Sequence, residues 1–279
     1  MYKNFYPETL KEALEILDKN DCYILAGGTD LMVQKHRSRG LLPNFDRDVI
    51  YVSHLKELQF IKEENNELRI GAAVRYIELL NSDIVPQYLK DVIIEIASPQ
   101  IRNMATLTGN IGNASPAGDS LPALYVNEAR LVIQSAHGSR ELPLKDFILS
   151  VRKTVHKKEE LITEIIVPKN NLNYYWKKVG SRNSESISKV SFFGGYKVED
   201  GIIKDLRIAF GSVNVTVARS REVENKYIGK KISELEALLP QICEDYQKLI
   251  APIDDQRSTK IYREKVAMNI LKDFIRKIK

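Results

Sequence analysis

The chain opens on a segment whose apolar residues recur at helical spacing. Leu10, Ala13, Leu14 and Leu17 fall on one face, and Thr9 followed by Glu12 has the spacing of a capping box. This predicts a first helix that ends at Asn20-Asp21. A short strand over residues 22–26 then runs into Gly27-Gly28-Thr29-Asp30, and the pattern over 31–39 predicts the next helix. Residues 48–52 form a further β-rich run. A hairpin is predicted over 60–74, with Asn65-Asn66 as its turn, followed by helices over 76–81 and 86–97. Strands are expected over 129–136, with the turn His137-Gly138 after it, and over 161–167. Beyond them come strands over 174–179, 186–198 and 202–217, the last two joined at Asp200-Gly201. The C-terminal stretch predicts helices over 232–239, 240–250 and 260–278, with Pro240 as a boundary.

One segment breaks the pattern. Residues 98–124 (SPQIRNMATLTGNIGNASPAGDSLPAL) are rich in Gly, Asn, Ser and Thr, poor in charge, and show no sustained helix or strand period. Ile101, Met104, Leu107 and Ile111 argue against disorder, so the expectation is an ordered, buried, backbone-rich binding loop. The β-meander and helices after the polar KNNLN stretch (169–173) suggest a separate α+β domain.

Composition narrows the picture. A chain of 279 residues and 31.9 kDa is long enough for about two domains. Its 42 Lys+Arg against 37 Asp+Glu give a formal charge of +5, too small and too evenly spread for a nucleic-acid binder. The two cysteines, Cys22 and Cys243, lie far apart without a partner at metal-ligand spacing. That excludes an iron–sulfur centre, a Cys-rich zinc site or a disulfide framework within this chain, and fits a reducing, cytoplasmic setting. The start lacks a signal-peptide pattern, and no apolar run approaches the ~20 residues of a membrane helix. Any redox metal this chain works with is expected on another polypeptide.

Two loops can carry chemistry. Adjacent Gly27 and Gly28 permit positive φ and close approach of a ligand to the backbone, their N–H groups can accept an anion, and Thr29 adds a hydroxyl. A plain turn would also use two glycines, and the motif is neither GxGxxG nor a Walker loop. The second loop offers Thr106-Leu107-Thr108-Gly109-Asn110 and then Asn113-Ala114-Ser115-Pro116-Ala117-Gly118-Asp119-Ser120. Neutral donors on small residues suit a diphosphate held in a dry site, and Asp119 suits ribose or ribityl hydroxyls. Asp119 or Ser120 could instead cap the helix that contains residues 121–124.

Ile24-Leu25-Ala26-Gly27-Gly28-Thr29-Asp30, together with Pro99-Gln100-Ile101-Arg102-Asn103, Ala105-Thr106, Gly109-Asn110-Ile111 and Ala114-Ser115-Pro116, closely resembles the FAD-binding subunit of the molybdenum hydroxylases, the family of xanthine, carbon monoxide and nicotinate dehydrogenases. Tyr175-Trp176-Lys177-Lys178-Val179, Arg182 and Ile187-Ser188 extend the resemblance over essentially the whole chain. It implies an α+β fold, a vanillyl-alcohol-oxidase-like (PCMH-type) two-lobed FAD-binding domain followed by a smaller α+β C-terminal domain of antiparallel sheet and helices. The boundaries implied are 1–170, with lobes about 1–55 and 56–170, and 171–279.

The resemblance also implies the site. Tyr23, Ile24, Leu25, Ala26, Gly27, Gly28, Thr29 and Asp30 would form the first pyrophosphate loop, and Thr106, Leu107, Thr108, Gly109 and Asn110 the second. Ile96 would line the flavin side, Ser115 and Asp119 would bind FAD, Leu161 would give a backbone contact, and Lys178 would reach the cofactor. Thr108 departs from the family's usual Gly-Gly before Asn; its side chain would crowd the diphosphate or donate to it. FAD would be non-covalent, since His36, His54, His137 and His156 lie outside both loops and read as surface residues. No catalytic side chain or metal ligand is expected here.

Partners would be a molybdopterin-binding large subunit and a [2Fe–2S] small subunit, in a heterotrimer or dimer of heterotrimers, with NAD+ as the expected co-substrate. A flavin-free structural subunit and a stand-alone flavin reductase of the same superfold remain as alternatives. Trp176, with Tyr174 and Tyr175, either faces the flavin or packs at a domain junction.

Overall fold

The computed structural model describes residues 2–38 and 40–279. The chain divides into two compact units, each assembled from separate segments. The first comprises Met1–Pro86, Ser98–Ala114 and Glu128–Lys169; the second comprises Gln87–Ala97, Ser115–Asn127 and Asn170–Lys279.

In the first unit the helix Leu10–Lys19 forms as its pattern predicts. The Thr9 hydroxyl accepts from the Glu12 N–H, and Ala13, Leu14 and Leu17 are buried on one face. They pack with Cys22, Ile50, Val52, Leu55 and Leu58 in one apolar cluster. Beside them lies a parallel three-stranded sheet, in the order Asn4–Phe5, Asp48–Tyr51, Cys22–Leu25. The second sheet of this unit is antiparallel, in the order Ile61–Glu64, Glu67–Gly71, Leu161–Pro168, Arg130–Ser135, Gly138–Pro143. Its first hairpin turns on Asn65 and Asn66, both at positive φ (53° and 61°), where asparagine is the side chain best suited.

Two expectations are corrected here. The helix predicted over 31–39 stops at Gln34, and Arg39 lies outside the described residues. The segment 98–124 is not a long loop. It contains three short helices, Pro99–Arg102, Leu107–Gly112 and Ser120–Val126, separated by turns. Runs of four to seven residues are too short to display a hydrophobic period.

The second unit is built on an antiparallel sheet, in the order Asn173–Val179, Val190–Glu199, Ile202–Gly211. Helices Gln87–Ile94 and Ser120–Val126 pack on one side, and helices Leu235–Gln247 and Lys260–Lys277 contribute to the core on the other. Cover on both faces explains why Val190 through Gly195 and Leu206 through Gly211 are continuously buried rather than alternating. Gly194 is required by this packing: a Cβ there would lie 2.6 Å from the Phe274 ring. The predicted break at Pro240 does not occur. One helix runs from Leu235 to Gln247 through it, with Leu239 and Ile242 buried in the core on either side. Tertiary packing overrides the missing N–H of the proline.

Among the described residues, no helix is long and apolar enough to cross a membrane, and no cluster of His, Cys, Asp and Glu could hold a metal ion. Cys22 is buried, and its thiol is pushed up to about 11 by burial and by the carboxylates of Asp48 and Asp21. It is unreactive at neutral pH.

Candidate functional site

Within the first unit the two glycine-containing loops meet. The strand Cys22–Leu25 carries the chain to Gly27, and a Cβ at Gly27 would lie 2.2 Å from the Met104 carbonyl oxygen and 2.8 Å from the Ala105 Cα. Gly27 is therefore a glycine so that loop can pack on loop. Gly28 is a glycine for a different reason, its φ of +70°. Asp30 and Gln34 hydrogen-bond each other, and Gln34 Nε2 donates to Asn113 Oδ1 at 3.2 Å, which ties the first loop to the second.

The second loop is pinned by its own cap. The Thr106 hydroxyl accepts from the Gly109 N–H at 2.9 Å, and a Cβ on Gly109 would lie 2.9 Å from that hydroxyl oxygen. Thr106 is thus occupied in shaping the loop, while Leu107 is fully buried. Thr108 differs from both: its Oγ1 is buried and has no hydrogen-bond partner.

That hydroxyl belongs to a residue lining a cavity of about 200 Å³, whose walls include Ile24, Ala26, Gly109, Gly112, Leu161 and His156. Nothing lies within 4 Å of where a Gly112 Cβ would stand. The lining is apolar on its strand side, from Ile24, Val52, Leu161 and Ile162, and polar where Thr108, Thr154 and His156 contribute. This is the balance of a small-molecule site, with apolar walls and a few placed polar groups. An unpaired buried hydroxyl is costly unless something fills its valence, and a bound donor or acceptor would do so.

His156 is the residue that sequence reasoning missed. It lies in the polar run HKKEE and reads as surface, yet the turn after the strand Lys153–Thr154 carries it into the cavity wall. Burial lowers its pKa, partly countered by Glu160, so the ring is neutral at pH 7. No periodicity or motif in the sequence marks it.

The other predicted residues of the first unit are engaged as follows. Tyr23 donates its hydroxyl to Asp46 at 2.7 Å and receives Lys35 Nζ at 2.7 Å, with Arg47 Cζ 4.0 Å from its ring centroid. Its side chain therefore ties Lys35 to Asp46 and Arg47. Leu25 gives its carbonyl to Val52 N at 3.1 Å, and Asp30 is exposed. Thr29 and Asn110 are half-buried in their loops.

Ile96, Ser115, Asp119 and Lys178 belong to the second unit. There Asp119 is 7% exposed, and its Oδ2 pairs with Lys178 Nζ at 2.8 Å while the Ser188 hydroxyl donates to Oδ1. Lys178 Nζ also donates to the Glu95 carbonyl at 2.7 Å. Burial raises the Asp119 pKa, and the facing Lys178 ammonium opposes the rise. Asp119 occupies the N-cap position of the helix Ser120–Val126, yet its side chain makes no cap bond. The capping alternative for Asp119 is thereby set aside: the carboxylate is committed to Lys178 and Ser188.

Strand alternation separates the two lysines. Tyr175 and Val179 pack against the helical core and Lys177, between them, is exposed, whereas the Lys178 side chain points to the opposite face and is buried. Tyr174 stacks on Phe193 with ring centroids 5.9 Å apart and donates to Asp91 at 2.7 Å, and Tyr175 packs edge-on against Phe192. These two rings are packing residues. Ile96 is nearly buried, and the Ser115 hydroxyl accepts from Ala117 N at 3.3 Å within its turn.

Comparison with known proteins agrees with this geometry. The family described as the FAD binding domain in molybdopterin dehydrogenase matches residues 1–170, and the CO dehydrogenase flavoprotein C-terminal domain matches residues 175–278. The chain is 33% identical over 265 residues to the glyceraldehyde dehydrogenase medium chain of Sulfolobus acidocaldarius, covering 93% of this chain and 92% of that one. It is 28% identical to the xanthine dehydrogenase FAD-binding subunit of Escherichia coli O157:H7, covering 96% and 92%. Among solved structures, carbon monoxide dehydrogenase from Hydrogenophaga pseudoflava superposes with a TM-score of 0.88 at 25% identity, covering 98% of this chain and 95% of that one. An α+β chain with two interlocked glycine loops, a polar-edged cavity beside them and these matches end to end belongs to the family of FAD-binding subunits of the molybdenum hydroxylases, a subunit of an oxidoreductase.

Proposed function

We propose that this chain holds FAD non-covalently in a molybdenum hydroxylase complex. A molybdopterin-binding large subunit would oxidise the substrate, a small subunit would carry [2Fe–2S] centres, and electrons would leave to NAD+ or another acceptor. The complex would be a heterotrimer or a dimer of heterotrimers, working in the cytoplasm. FAD, when bound, supplies the exchange between one-electron carriers and a two-electron acceptor. The FAD-binding part is assigned to residues 1–170, in lobes of about 1–55 and 56–170, and a C-terminal domain to 171–279.

The observation that carries this reading is the polar-edged cavity beside the two interlocked loops, lined by Thr108, whose buried hydroxyl has no hydrogen-bond partner. Backbone N–H groups of residues 26–30 and of Gly109 and Asn110 would hold the diphosphate, with Ile24, Ala26 and Leu161 as apolar walls. Asp119 and Lys178 would meet the cofactor as a prearranged pair, Ser188 fixing the carboxylate. Tyr23, Leu25, Leu107 and Ser115 would shape the backbone, and Ile96 would line the flavin side. No acid or base from this chain is needed for the redox step.

The Thr108 assignment has a signed consequence. Thr108→Val removes an unsatisfied hydroxyl at nearly constant volume, so the flavin-free protein should be as stable as before or slightly more so. Its affinity for FAD should fall by about tenfold, the worth of one hydrogen bond. Unchanged affinity in a fluorescence titration would remove Thr108 from the site.

The role in the complex is tested by purifying the assembly with and without this chain. Substrate oxidation with an artificial dye should persist without it, while reduction of NAD+ should be lost. NAD+ reduction that survives removal of this chain would refute the electron-exit role.

A further inference from the structure

Arg263 is 3% exposed, at a place that gives a cation little reason to be buried. It lies near the start of the helix Lys260–Lys277, toward the positive end of the helix dipole, where a positive charge is unfavourable. Burial of a guanidinium carries a desolvation cost as well, and the Arg263 Nε has no hydrogen-bond partner. What holds the side chain is a set of acceptors from three separate segments. Nη1 donates to the Lys189 carbonyl at 2.9 Å and to the Ser212 carbonyl at 2.9 Å, and Nη2 donates to Asp255 Oδ1 at 2.7 Å. The flat fork of a guanidinium can reach all three at once; a lysine cannot.

Two of these contacts lead to Asp119 by separate routes, all within the second unit. Lys189 immediately precedes the strand Val190–Glu199, and its N–H donates to the Val179 carbonyl at 2.8 Å. The residue before it, Ser188, is the one whose hydroxyl donates to Asp119 Oδ1. Ser212 immediately follows the strand Ile202–Gly211 and stands at a φ of +64°, a conformation that disfavours a side chain. Its N–H donates to the Pro116 carbonyl at 2.9 Å. Pro116 lies in the turn over residues 115–118, closed by Gly118 N on the Ser115 carbonyl at 2.9 Å, which delivers the chain to Asp119. On this geometry, and resting on the FAD reading above, we infer that Arg263 is a positioning residue of the cofactor site: it fixes Ser188 and the turn before Asp119, and so holds the carboxylate against Lys178 in the arrangement that meets FAD. Arg263 acts through Asp119 and does not itself touch the cofactor.

The test is a double-substitution cycle on FAD affinity, measured on the full-length chain after removal of bound flavin. Asp119→Asn should weaken FAD about tenfold, and Arg263→Lys, which keeps the charge and loses the fork, about fivefold. The double variant should be no weaker than Asp119→Asn to within about twofold, because with the carboxylate gone Arg263 has nothing left to position. Independent effects would instead multiply to roughly fiftyfold, a result that overturns the inference while leaving FAD binding intact. The second readout is the pH profile of FAD affinity. Burial already raises the Asp119 pKa, opposed by the Lys178 ammonium and the Ser188 hydroxyl, with the Glu95 carboxylate nearby. Where Arg263→Lys loosens that opposition, Asp119 should protonate at a higher pH, so on acidification FAD affinity should begin to fall sooner than in the wild type. A loss of affinity equal at every pH would mark a structural effect alone and overturn the inference. Should Arg263→Lys fail to fold, Asp255→Asn weakens the same hub more gently. Its effect on FAD affinity should likewise vanish in the Asp119→Asn background, and full additivity there overturns the inference. A wild type that takes up no FAD overturns the FAD reading, and this inference with it.

Discussion

Gly27→Ala should cost this protein both stability and flavin, and more than any other single methyl group added to the first loop. The added Cβ would stand 2.2 Å from the Met104 carbonyl oxygen and 2.8 Å from the Ala105 Cα, both backbone atoms that no rotamer change can move aside. Either the first loop lifts off the second, or the helix Leu107–Gly112 shifts with Ala105. Overpacking of this kind costs typically 1–3 kcal/mol and sometimes more. It also displaces the Thr108 and Gly109 side of the cavity, so FAD retention should drop sharply. Gly28→Ala is the control. Its Cβ would meet only the Met32 and Leu25 side chains at 3.4 Å or beyond, and its penalty is the positive φ, roughly 1 kcal/mol. Chemical denaturation and flavin content should rank wild type above Gly28→Ala and Gly28→Ala above Gly27→Ala. Equal behaviour of the two variants would mean that the loops do not interlock through Gly27.

The second large effect is expected at Lys178. Lys178→Met leaves Asp119 buried at 7% exposure with the Ser188 hydroxyl but no counter-charge beside it, and breaking one side of a buried pair typically costs 3–5 kcal/mol. Burial already pushes the Asp119 carboxyl upward, and Lys178 is the group that opposes this. Without Lys178 the carboxyl should protonate at a higher pH than in the wild type. With its folded pKa raised above the unfolded value, the loss of stability should then be largest at neutral pH and shrink toward acid. Urea denaturation at pH 7 and pH 5 reads this directly. Lys177→Met, one residue away and exposed, should stay within about 0.5 kcal/mol of wild type. A Lys178→Met protein as stable as Lys177→Met would remove the pair from the account. Asp119→Leu combined with Lys178→Met should recover much of the loss, because two apolar groups leave no charge uncompensated.

Much of the architecture is legible along the chain, and the rest is hidden for identifiable reasons. The capped helix Leu10–Lys19, the Asn65-Asn66 hairpin and the Asp200-Gly201 turn each rest on local chemistry that a few residues specify. The helix through Pro240 is invisible because its core contacts, at Leu239 and Ile242, outweigh the local penalty. The three helices of 98–124 are invisible because each is shorter than the window in which a period can be seen. The choice between Lys177 and Lys178 is decided by which face of the strand Asn173–Val179 meets Asp119, a fact of packing. The glycine loops are legible by residue type and order, yet the reason for Gly27 lies 77 positions on, at Met104. His156 is the plainest case. Nothing in HKKEE announces a cavity wall: Lys157 and Lys158 are exposed, Glu160 is buried against Arg140, and His156 lines the cavity.

The central claim is that this chain holds FAD. The full-length protein, purified under native conditions, should show a flavin absorption band and release FAD, identified by chromatography, in stoichiometric amount on denaturation. A colourless protein that releases no flavin and takes up none when incubated with FAD would contradict the account.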